Sequence, residues 1–142
     1  KKIKEFIEKK TGGAQFNVIP LKNDLSHIIK IKNSLTQNEF VAIHSDRYIA
    51  GTKAIEVDFF NQKVNVPYGP FLIASKFKVP VVFVFAVKSS KKSYAFCSTD
   101  PLEIGASPEV IANAYIKELE RMVTKYPEQW FNYFNYFKND TK

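Results

Sequence analysis

The run from Val79 to Val87 sets the first constraint on the fold. It is the most hydrophobic stretch of the chain and is rich in β-branched residues. A run of that kind predicts a central strand covered on both faces. Its neighbours supply the covering layers. Lys88 to Lys92 forms a basic turn, and Ser93 to Ser98 returns as another strand. Upstream, Phe40 to Ile43 is a compact apolar run that predicts a second buried strand, ending in His44-Ser45-Asp46-Arg47. From Ile55 to Phe60 the pattern alternates, with Ile55, Val57 and Phe59 set against Glu56 and Asp58, so one face is buried. Phe16 to Ile19 is a short strand candidate ended by Pro20.

Helical signals fall between these strands. Ile3, Phe6 and Ile7 share a face, and Gly12-Gly13 stop that segment. Asn23 or Asp24 can cap a helix carrying Leu25, Ile28, Ile29, Lys32 and Leu35 on one side. Pro67-Tyr68-Gly69-Pro70 is a turn opening into a short helix over 71–77, with Pro70 in its first turn. Ser107-Pro108 begins the clearest helix, whose buried stripe is Ile111, Tyr115, Leu119 and Met122. Pro127 interrupts it, and an aromatic tail runs from Trp130 to Phe137. Alternating strands and helices predict an α/β fold with a mixed, largely parallel sheet flanked by helices.

The charge narrows the choice of partner. The chain carries +7, and Arg47 and Arg121 are its only arginines. Base-specific readers of nucleic acid lean on arginine forks. Diffuse lysine charge suits an anionic membrane face or an acidic protein, and equally a merely solvated surface. The single cysteine, Cys97, rules out an internal disulfide and sits in an apolar stretch as a buried, inert thiol. No stretch approaches the roughly 20 apolar residues needed to span a bilayer. No Cys/His cluster has metal-ligand spacing, and no glycine-rich loop is placed to hold phosphate, so neither metal nor cofactor is expected. The opening Lys1-Lys2-Ile3-Lys4 lacks an initiator methionine and a signal segment, and the chain reads as the middle of a longer protein.

In open α/β sheets functional residues collect where strands end in loops. That points to Asp46 and Arg47, and to Pro67, Gly69 and Pro70. Asp46 and Arg47 suit a phosphate group, or else a structural ion pair at a strand end. His44 lies two residues from Asp46, which allows a dyad, but no nucleophile is placed beside it, and a polar cap is the simpler reading. The turn at Pro67–Pro70 either lines a cleft or only joins strand to helix. Lys88, Lys91 and Lys92 suit an acidic protein or lipid headgroups, or a solvated hairpin. In the tail, Phe134 and Phe137 suit a membrane interface, with core packing as the alternative.

The ordered set of Val41 to Arg47, Phe59-Phe60, Val66 to Pro70, Leu72 to Ala74, Pro80 to Val82 and Tyr126 to Trp130 resembles the lysophospholipid-acyltransferase superfamily. The closest likeness is to its bacterial lipid A biosynthesis branch of lauroyl and myristoyl acyltransferases, from about residue 16 onward. The resemblance implies transfer of a fatty acyl chain from acyl carrier protein to a lipid A-type or related glycolipid hydroxyl. The setting it implies is the cytoplasmic face of the bacterial inner membrane, with no nucleic acid involved. In that family a histidine in a His-x4-Asp/Glu motif is the general base. Here His27 is followed five positions on by Lys32, and His44 by Ile49. The expectation is therefore the C-terminal portion, residues 1–142, of one truncated acyltransferase domain, holding no catalytic residue and inactive alone. Where relatives have Phe-Phe-Gly, this chain has Phe59-Phe60-Asn61. The rival readings are a non-catalytic basic module binding anionic lipid or nucleic acid, and an acyltransferase acting on another lipid.

Overall fold

The computed structural model describes residues 16–21 and 24–137. The expected helix on Ile3, Phe6 and Ile7, with its Gly12-Gly13 stop, lies outside them. The chain divides into two compact units, Lys1–Val41 and Ala42–Lys142.

In the first unit, helix α1 spans Ser26–Thr36 and buries Ile31. The Asp24 carboxylate accepts from the Ser26 backbone N–H at 3.0 Å and from its hydroxyl at 2.5 Å. Those two bonds, the hydroxyl's first, hold the Asp24 carboxyl below its usual value. Phe16 to Ile19 is not a strand. It has no ladder partner among the described residues, and Phe16 and Val18 are exposed.

The second unit is built on two hairpins and a long helix. Strand β1, Ala54–Phe59, pairs antiparallel with β2, Gln62–Pro67. The expected alternation is present, with Ile55, Val57 and Phe59 buried and Glu56 and Asp58 exposed. In β2, Val64 and Val66 repeat it. Phe60 and Asn61 join the strands with φ of 50° and 60°. A two-residue turn with both φ positive follows the right-handed twist of its strands, but favours asparagine and glycine over a bulky ring. The Phe60 N–H donates to the Glu120 carboxylate, which ties the turn to the long helix. Asn61 occupies the position where glycine is least strained. Asn61→Gly is therefore expected to raise unfolding stability by about 0.5 kcal/mol in a denaturant titration; a loss would contradict a left-handed turn here.

Helix α2, Tyr68–Phe77, follows β2 directly, with Pro70 in its first turn. It ends on Lys78 at φ 51°, in the left-handed cap conformation glycine usually takes. Strand β3, Val84–Lys88, then pairs antiparallel with β4, Tyr94–Ser98. Helix α3, Pro108–Lys125, begins as its sequence requires: the Ser107 hydroxyl accepts from the Val110 N–H at 3.3 Å. Ile111, Tyr115, Leu119 and Met122 are all buried. Ile111, Tyr115 and Leu119 pack with Val57, Phe59, Val64, Phe71 and Phe83 in one core. Phe83, Phe85 and Phe71 place their rings around Tyr115 at 5.4, 6.4 and 5.9 Å.

The class is α/β, but the expected largely parallel sheet is corrected. Both described sheets are two-stranded and antiparallel. The reason lies in the connections. Two residues join β1 to β2, and Ser89 to Ser93 joins β3 to β4; loops this short close only antiparallel pairs, since parallel strands need a long crossover. Strand β2 went unread because its two valines sit among Lys63, Asn65 and Pro67. The run from Val79 is also not a central strand throughout. Its first half bonds to a loop instead, with Leu102 N–H donating to Val81 O at 2.9 Å and Thr99 N–H to Phe83 O at 3.0 Å. Phe40 to Ile43 is neither paired nor buried among the described residues, and Phe40 is 105% exposed. An apolar run is buried only where strands or helices flank it, and none does so in the described structure.

Candidate functional site

Asp46 and Arg47 follow the extended segment that enters the second unit, and both side chains are exposed. The residues that meet them come from the far end of the chain. Tyr126 ends α3, and Pro127–Gln129 forms a single 3-10 turn. Gln129 anchors that turn to β3: its Oε1 accepts from the Lys88 N–H at 2.7 Å and its Nε2 donates to the Lys88 carbonyl at 3.1 Å. The side-chain amide thus copies one rung of a β-ladder and fixes where the tail leaves. Trp130 and Tyr136 then close on Phe59 edge-on, at 5.4 and 5.3 Å. Phe137 stacks on Phe59 at 5.9 Å and bridges to Val64 of β2.

This return leaves a concavity of about 320 Å³ whose lining includes Asp46, Arg47, Trp130, Asn132, Phe134 and Tyr136. The Arg47 guanidinium lies 5.0 Å from the centre of the Phe134 ring. It makes no ion pair with Asp46 among the described residues, so the structural-pair reading does not hold there. The Tyr136 hydroxyl is buried with no hydrogen-bond partner. Burial first, and then the Asp46 carboxylate, push the Tyr136 phenol up to about 12. The same two influences, together with Tyr136, push Tyr115 up further. At neutral pH Tyr136 is therefore a proton donor to a hydrogen bond and never a base. A planar cation, a carboxylate, a side-chain amide and aromatic walls together suit a polar, anionic headgroup.

The other predicted residues lie elsewhere. Pro67, Gly69 and Pro70 open α2 and do not line this concavity. A Cβ added at Gly69 meets nothing within 4 Å, so no close approach inside the protein requires glycine there. His44 is exposed. Lys88, Lys91 and Lys92 stand exposed at the β3–β4 turn. Cys97 is half-buried rather than fully enclosed. Among the described residues no group of His, Cys, Asp or Glu is placed to hold a metal ion, and no helix is long and apolar enough to cross a membrane. Tyr136 and Asn132 escaped sequence reading. The only local sign was the interleaving of aromatic and asparagine residues from Trp130 to Phe137, and nothing in it points back to Asp46.

The pairing of the Asp-Arg segment with the Tyr-Pro-Glu-Gln-Trp segment joins the first and last parts of the ordered set noted in the sequence. Comparison with curated proteins finds no match. Among protein families, the model described as bacterial lipid A biosynthesis acyltransferase matches residues 3–139, nearly the whole chain, and the chain belongs to that family.

Proposed function

We propose that this chain forms the acceptor-binding part of an enzyme that moves a fatty acyl group from acyl carrier protein to a hydroxyl of a lipid A-type glycolipid at the cytoplasmic face of the inner membrane. One observation carries the reading: in a member of this family, Arg47 and Asp46 share a concavity with Asn132 and the aromatic walls of Trp130, Phe134 and Tyr136. In this reading the guanidinium takes a headgroup phosphate, and Asp46 and Asn132 take sugar hydroxyls, with Trp130 against the ring. The histidine base comes from outside these 142 residues, because neither His27 nor His44 has a carboxylate five positions on. Incubated with acyl-loaded carrier protein and a phosphorylated glycolipid, the chain by itself should give no acylated product. Turnover abolished by His44→Ala would show that the base had been misassigned and would remove this division of labour.

A further inference from the structure

The β3–β4 hairpin has two unlike faces. Phe85, Val87, Ala95 and Cys97 turn inward, towards Tyr115 and the core. Residues directly opposite in an antiparallel pair share a face, so Val84 with Ser98, Ala86 with Phe96, and Lys88 with Tyr94 form the outer one. All six are exposed, Phe96 at 77%. An outward face carrying valine, alanine, phenylalanine and tyrosine is unusual for a two-stranded sheet open to water, where outward positions are normally polar.

Charge indicates what covers it. The tip of the same hairpin carries Lys88, Lys91 and Lys92, all exposed. Beside the tip, Lys88, Ser89, Lys91, Tyr94 and Phe131 border a cleft of about 610 Å³. Glu128 is the acidic side chain that also borders it. Phe131, 72% exposed, extends the apolar surface next to the lysines. Aromatic rings and aliphatic groups rimmed by lysine match the boundary of an anionic bilayer, where rings sit at headgroup depth and ammonium groups reach the phosphates. The aromatic tail is less suited to that role, because Phe137 is stacked in the core and Phe134 lies under Arg47.

We propose that the outer face of the β3–β4 hairpin, led by Phe96 and the Lys88, Lys91 and Lys92 tip, docks on an anionic lipid bilayer. The proposal rests on the reading of this chain as part of a lipid acyltransferase, and gives that enzyme the surface by which it sits at its substrate. The cleft beside the hairpin tip and the Asp46–Arg47 concavity adjoin, with Gln129 and Phe131 lining both.

The test is co-sedimentation of the 142-residue chain with vesicles of phosphatidylcholine, with and without phosphatidylglycerol. Binding is expected only to the anionic vesicles and should weaken as salt rises. Replacing Lys88, Lys91 and Lys92 together by glutamine should lower the affinity about a hundredfold, as three surface cations near an anionic leaflet imply. Phe96→Ser should lower it about tenfold, whereas Tyr133→Ser, at a side chain even more exposed but outside the hairpin, should leave it unchanged. These side chains point to water, so the fold is retained, as circular dichroism will verify. Equal binding by the lysine and Phe96 variants would overturn the proposal. Vesicle-free self-association abolished by Phe96→Ser would overturn it too, because a second copy would then cover the face. Neither result bears on Arg47, whose loss tests the acyltransferase reading separately.

Discussion

Phe59→Ala is expected to remove about 4 kcal/mol of folding stability, close to the whole margin of an ordinary domain. Phe59 is 0% exposed and ends β1. Four rings meet it: Phe60 at 4.6 Å, Trp130 at 5.4 Å, Tyr136 at 5.3 Å and Phe137 at 5.9 Å. These rings come from two distant parts of the chain, so a small local shift does not refill the space. Truncation leaves a cavity lined by groups that also shape the Asp46–Arg47 concavity. Thermal or denaturant unfolding should show a large loss, accompanied by a change in emission from Trp130, the chain's only tryptophan. A loss below about 1 kcal/mol would mean that the tail does not pack on β1 as described.

Arg47→Ala, made in the enzyme carrying this chain, is expected to lower kcat/KM for a phosphorylated acceptor about a hundredfold with little effect on folding. The guanidinium is exposed, and its contact is the Phe134 ring, an interaction of about 0.5–1 kcal/mol at such a site. A bidentate bond to phosphate contributes more, about 3 kcal/mol, which is the stated factor in rate. Arg47→Lys keeps the charge without the planar fork and should recover only part of the loss. If both variants turn over acceptor as the parent does, Arg47 does not hold it.

The elements that were legible in the sequence are those whose signals are local. β1 announced itself by alternation, and α3 by a serine cap, a proline at its first position and a stripe at helical spacing. The basic turn and the return strand β4 were equally plain. Sheet direction was misread because β2, with Asn65 between Val64 and Val66 and polar residues before them, did not register as a strand. Without it, β1 and the next apolar run looked like neighbours joined by a helix, and so parallel. The Phe40 to Ile43 run shows a different limit: composition says what a segment prefers to be buried in, not whether a partner is at hand. At the site, Asp46 and Arg47 were singled out by the sequence as the end of an apolar run, although that run forms no strand among the described residues. Tyr136, Trp130 and Asn132 were not, because their approach depends on the Gln129–Lys88 anchor and on aromatic packing around Phe59, contacts between residues far apart in sequence.

The most direct test of the account is a binding titration read at Trp130, the chain's single tryptophan, which lines the concavity. The 142-residue chain would be titrated with a phosphorylated disaccharide lipid in neutral detergent micelles, and with the same lipid after removal of its phosphates. The account predicts a saturable change in tryptophan emission with the phosphorylated lipid, and binding weaker by about a hundredfold when either the phosphates or the Arg47 guanidinium is removed. Equal affinity for both lipids, or unchanged binding by Arg47→Ala, would contradict the assignment of this concavity to the acceptor headgroup.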